Sequence, residues 1–208
     1  MTMEFEDTSK PTSRVLREAL DKLTSSHVTL RDLIVLMGEQ GLLFLSALLC
    51  LPFLFPVSIP GVSTVFGAGI CLISLAITAN RLPWLPAAIA DRAISVEKLK
   101  PALEKGMRLM LRTERYVSPR LPTMVSGALV NRINGLAMLF AGLLLMMPLG
   151  LIPFSNTLPA IAILMLSVGI AQRDGLIVTG GMAMIGVTLI YFGILAYLAY
   201  AAGNAIFL

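Results

Sequence analysis

Histidine is nearly missing from this chain: of 208 residues, the one instance is His27, which lies outside every apolar tract and reads as a surface residue. No HExxH, GxSxG, phosphate-binding glycine loop or acidic metal cluster is present, so no metal site, cofactor or catalytic group is expected and the chain does not read as an enzyme. Glu39 and Asp174 are the carboxylates nearest to apolar sequence, but nothing in the sequence fixes their distance as an acid–base pair. The two cysteines, Cys50 and Cys71, share one apolar tract and read as small buried hydrophobes rather than a disulfide. Charge is scarce as well, at 13%. A soluble domain carries about 25%. Residues 40–80, 133–172 and 175–208 hold no Asp, Glu, Lys or Arg at all. That excludes a water-facing surface for these tracts, and the polar residues 1–39 are not expected to act as a secretory signal.

Hydrophobic residues make up 57% of the chain, and each charge-free tract exceeds the ~20 apolar residues that cross a bilayer. The expected fold is an all-α polytopic membrane protein. Residues 1–39 carry twelve charges, and from Thr12 to Leu36 they read as amphipathic cytoplasmic helices with Val15, Leu16, Leu20 and Leu23 on one face. Thr29 and Asp32 fit a capping box that opens the second of these. Residues 81–132 hold ten Lys or Arg against four Asp or Glu. Within them Leu99, Leu103, Met107 and Met110 recur at helical spacing, which suits a basic helix on an anionic lipid surface, and a solvated basic linker is the alternative. Trp84 suits an interfacial anchor. The basic excess places this linker, and with it the N-terminus, in the cytoplasm, and no nucleic-acid-binding motif accompanies the charge.

Two proline clusters interrupt the apolar tracts, "PVSIPGVST" from Pro56 to Thr64 and "LIPFSNTLP" from Leu151 to Pro159. Aligning Gly41 with Gly135 matches six of eleven positions, and aligning Ile59 with Ile152 matches six of nineteen. The common order is a glycine start, an apolar limb, a proline break, Ser or Asn then Thr, and a second limb rich in small residues. This suggests an internal repeat of two hairpins, residues 40–80 and 133–174, followed by a long C-terminal transmembrane helix over 175–208. Limbs 42–55 and 136–147 would extend ~21 Å and ~18 Å against a hydrocarbon core of ~30 Å. Both hairpins are expected to return to the cytoplasmic side, either re-entrant, the favoured form, or fully crossing, while the C-terminus ends in the periplasm. Pro52, Pro56, Pro60, Gly61, Pro153 and Pro159 make the breaks. Ser63, Thr64, Asn156 and Thr157 are N-cap types just ahead of the second limbs, so the two helix starts are candidates to meet near the midplane and hold a polar or anionic group. At the mouths, Glu39 with Arg81 and Arg132 with Asp174, next to Arg173, are placed to clip the feet together.

The stretches "LPFLFPVSIPGVSTVFG", "RLPWLP", "IPFSNTLPAIAIL" and "GIAQRDG" resemble the signatures of the ExoD family of bacterial exopolysaccharide-synthesis membrane proteins. The resemblance runs from about Leu16 to the last helix. It implies a bacterial inner-membrane protein linked to exopolysaccharide production, and it falls on Pro52, Pro56, Pro60, Gly61, Ser63, Thr64, Pro153, Asn156, Thr157, Pro159, Arg173, Asp174 and Gly175. Two functions follow as expectations. One is a transporter- or channel-like site at the breaks. The other is a non-catalytic scaffold that docks polysaccharide-synthesis proteins or anionic lipids through the basic linker. A homo-oligomer is compatible with either.

Overall fold

The computed structural model describes residues 27–54, 61–79, 93–95, 120–147, 149 and 152–206. The helix expected before His27, the basic surface helix through Leu99 and Met107, and Arg81, Trp84, Pro56 and Pro60 lie outside these residues. Helix dominates what is described, as the composition requires. One exception is a ribbon in which strand β1 (His27–Thr29) pairs antiparallel with β2 (Ala93–Ser95), His27 opposite Ser95. An all-α reading overlooks it, because three residues are too short for a period-two pattern to register.

Helix α1 (Leu30–Cys50) opens just after Thr29, where the capping signal puts it, and bends at Gly38. Gly38 has φ 57° and ψ −147°, a backbone state that only a residue without Cβ adopts readily, so the kink separates the first turns, which carry Arg31 and Asp32, from the charge-free limb that follows Glu39. A 3-10 turn, Leu51–Leu54, finishes that limb. Helix α2 (Val62–Ala79), α3 (Ala128–Leu145), α4 (Thr157–Ala171) and α5 (Gly175–Ile206) follow. Helix α3 corrects an expectation. It starts eight residues ahead of Leu136 and rises ~27 Å rather than ~18 Å. Asn131 and Arg132 are ordinary helix formers in a first turn, and the helix runs out to Gly127 (φ 103°) before the chain turns.

The helices pair across the hairpins. Helix α2 packs chiefly on α3, and α1 packs more on α4 than on its own partner α2. Helix α4 also lies along α5. Small residues set these approaches: a Cβ on Gly142 would stand 2.8 Å from Cys71 Sγ, and one on Gly169 would stand 2.8 Å from Val178 N. Leu42, Ile70, Met138, Leu145, Ile163 and Leu166 fill the shared core. The outward faces are apolar as well. Leu129, Leu136, Phe140 and Leu143 on α3, and Ile190, Ile194 and Leu198 on α5, are all exposed. Apolar side chains on the outer faces as well as in the core depart from the ordinary arrangement of a water-soluble bundle.

Candidate functional site

The four limb ends gather at one end of the bundle, which forms its mouth. Thr78 at the foot of α2 lies against Gly135 of α3, and Asn131 of α3 donates a side-chain hydrogen bond to Glu39 at the foot of α1. The Gly175 amide donates to Arg120 O at 2.7 Å, and Asn134 Nδ2 donates to Met124 O at 2.9 Å. Glu39 also feels the positive charge of Arg173, at the end of the second hairpin. Among the described residues, this attraction at the mouth runs between hairpins. Asp174 does not serve as a clip for Arg132: the Asp174 carboxylate is buried and accepts from the amides of Leu176 at 2.9 Å and Ile177 at 3.4 Å, which caps α5. Arg132 is exposed. Burial pushes the Glu39 carboxyl above the usual carboxylate range, and Asn131 and Arg173 pull it back only partly.

At the opposite end the two breaks lie side by side. The Leu51–Leu54 turn packs on α4, and a Cβ on Gly67 near the start of α2 would run into Met146 at the end of α3. Phe53 and Phe66 meet edge to face across the first break, with centroids 5.8 Å apart. Ser63, Asn156 and Thr157 are buried there, while Thr64 is exposed, as are Pro52, Pro153 and Gly61. Pro159 is buried in the first turn of α4, where its missing N–H leaves no helix bond unmade.

The expected capping is not what holds these starts. Asn156 sits at the N-cap position of α4 but with helical dihedrals, and its side chain forms no cap bond. Ser63 and Thr64 fall inside the first turn of α2, behind Gly61. Backbone geometry does the work instead. Gly61 (φ 84°) and Phe154 (φ 61°) are both left-handed, and each accepts from the amide four residues on, Val65 at 3.3 Å and Leu158 at 3.1 Å. Two further groups brace the second break that the sequence does not single out. Ser155 Oγ lies 2.8 Å from the carbonyls of both Leu149 and Ile152. Tyr191 of α5 donates its hydroxyl to Pro153 O at 2.6 Å. Ser155 stands inside the polar cluster and Tyr191 is a polar tip in a charge-free helix, the two signals that were there to find. Among the described residues no group of three or more His, Cys, Asp or Glu is placed to hold a metal ion. The break offers hydroxyl, amide and carbonyl groups, and so hydrogen bonding without acid–base chemistry.

These features define a predominantly helical protein in which, among the described residues, three helices, Val62–Ala79, Ala128–Leu145 and Gly175–Asn204, are long and apolar enough to cross a membrane. The chain belongs to the ExoD family, described as "Exopolysaccharide synthesis, ExoD", which it matches over residues 12–194. It is 56% identical over 206 residues to the protein ExoD of Rhizobium meliloti, covering 99% of this chain and 86% of that protein. It is 30% identical over 167 residues to an uncharacterised protein of Synechocystis, covering 78% and 77% of the two. No solved structure matches.

Proposed function

We propose that this protein resides in the bacterial inner membrane and that its paired breaks form a transporter-like polar site serving exopolysaccharide production. The observation that carries this reading is the position of the break. From Gly175 at the mouth to Tyr191, which holds Pro153, α5 rises ~24 Å at about 1.5 Å per residue. A hydrocarbon core is ~30 Å thick, so Ser63, Ser155, Asn156 and Thr157 gather within it, in the leaflet away from the mouth. Buried polar groups at such depth are costly unless a ligand, water or backbone uses them. The basic residues of 81–132 orient the mouth to the cytoplasm and leave the end of α5 in the periplasm.

The two hairpins are read as copies related by an axis along the membrane normal. The matched left-handed residues Gly61 and Phe154, with their matched amide bonds, support this. So does the helix register. Gly142 faces Cys71 and Gly135 faces Thr78 across α2 and α3. Carried through the sequence alignment and continued to the mouth, that pairing lands on Glu39 and Arg173, which do interact. Replacing Asn156→Ala and Thr157→Ala together tests the site. Exopolysaccharide output, measured in cells whose own copy is deleted, should be lost while the protein still accumulates in the membrane; normal output would refute the transport reading.

One observation favours the second reading, an accessory protein that docks polysaccharide enzymes or anionic lipids. The start of α4 has few amides left to offer a ligand, because Leu158 N is bonded to Phe154 O and Pro159 has none. That reading expects charge reversal of Lys98, Lys105, Arg108 and Arg112 to stop output while the break variants remain active.

A further inference from the structure

We propose that the seam between α1 and α4 is hydrated, with Ser46 and Ser167 as the inner groups that hold water. Both side chains are fully buried, at 0% and 1% exposure, and neither hydroxyl has a hydrogen-bond partner among the described residues. A helical serine always has one candidate partner at hand, the carbonyl four residues back. Elsewhere in this bundle that partner is taken. Ser74 donates to Ile70 O at 2.7 Å, Thr78 to Ser74 O, Thr179 to Gly175 O and Thr188 to Met184 O, each at 2.8 Å. Ser74 is also the residue that the hairpin alignment sets opposite Ser167. At equivalent places in two similar helices one hydroxyl turns back onto its own backbone and the other turns away.

The two unpartnered hydroxyls share a depth. Helix α1 packs on α4, and Glu39 at the foot of one interacts with Arg173 beyond the end of the other. From those feet Ser46 lies ~10 Å along α1 and Ser167 ~9 Å back along α4. Nearer the mouth, Gln172 Nε2 is a third buried donor with no partner among the described residues. The two packed helices and the C-cap of α4 thus carry three buried polar atoms without a partner among the described residues, from the mouth inward to about 15 Å short of the Thr157 start of α4. Neither a lipid chain nor a neighbouring leucine can satisfy them. Water can, since it both donates and accepts and needs only two to four polar partners. The seam is separate from the break site, and its hydration stands or falls without reference to transport.

Single cysteines at Ser46 and Ser167, in full-length protein with Cys50→Ala and Cys71→Ala, give the test. The probe is Ag+ added to membrane vesicles, with the surviving thiol counted after denaturation. Ser46→Cys and Ser167→Cys should react at least about tenfold faster than Ile163→Cys, a fully buried neighbour on α4. Rates as slow as at Ile163 would overturn the proposal. The double variant Ser46→Ala/Ser167→Ala gives a second readout. Loss of the groups that bind water should lower the thermal midpoint by about 2–4 °C, whereas a dry seam relieved of two unpaired hydroxyls would hold or raise it and so refute hydration.

Discussion

At the residue scale, one tight constraint on the bundle is a hydrogen atom. Gly135 faces Thr78, and a Cβ there would come 3.0 Å from the Thr78 amide nitrogen and 3.1 Å from its Cα, atoms that cannot swing aside. Gly135→Ala should therefore destabilise by about 1–3 kcal/mol through overpacking. Gly186→Ala, whose added Cβ meets nothing within 4 Å, should be neutral or stabilising by up to about 1 kcal/mol from helix propensity. Thermal unfolding of the two variants in detergent separates them, and equal midpoints would mean that α2 and α3 are not in this register. Glu39 makes the other residue-scale prediction. Its carboxyl is raised by burial, so the folded protein binds a proton more readily than the unfolded chain. Its contribution to stability is then complete below the ordinary carboxylate value and is lost as pH rises through the raised one. Glu39→Gln, neutral at every pH, should flatten that decline; an unchanged pH profile would show that other groups set it.

At the element scale, α5 sorts what sequence reveals from what it hides. A charge-free run after Asp174 announces one long helix, and one helix of 32 residues is found. The long apolar helices were legible because their tracts hold no charge and are long enough to be continuous helix. Helix ends are less legible, because a charge bounds an apolar tract without ending the helix: α3 carries Asn131 and Arg132 within its first turns. The brace from Tyr191 to Pro153 joins residues 38 apart, so the polar tip of Tyr191 marks a candidate but no local pattern names its partner. Nor could the N-cap types reveal that Asn156 would adopt helical dihedrals and that backbone bonds from Phe154 and Gly61 would hold the starts. Beyond that brace, α5 runs on through exposed Ile194, Tyr197, Leu198 and Tyr200, and the family match ends at residue 194. A chain ended after Ala196 keeps Tyr191 and the ~20 residues that a crossing needs, so it should insert and fold as the full protein does. Ending it after Gly186 removes both the brace and the crossing length, and should leave little folded protein in membranes. Equal recovery of the two would show that the brace contributes nothing.

At the scale of the whole molecule, the decisive quantity is how far the breaks stand from each surface. Sequence alone suggested helix starts near the midplane, ~15 Å from either side of the hydrocarbon. On the proposed orientation, the rise of ~24 Å from Gly175 to Tyr191, at about 1.5 Å per residue, would set them ~6 Å short of the far boundary, about one helical turn from a full crossing. Short limbs fit this position, since α2 and α3 rise ~27 Å each and α4 ~22 Å. A membrane-impermeant thiol reagent applied from the periplasm then has a graded outcome to report. In a background without Cys50 and Cys71, a cysteine at Asn204 should react fastest, one at exposed Phe154 more slowly, and one at lipid-facing Leu136 not at all. Phe154→Cys as quick as Asn204→Cys would place the breaks in open solvent as plain interfacial turns. Phe154→Cys protected from the periplasm but labelled from the cytoplasm would instead pull them back toward the midplane, with a cavity reaching them from the mouth. Only the intermediate rate agrees with a hairpin that nearly crosses and keeps its polar turn just under the far surface.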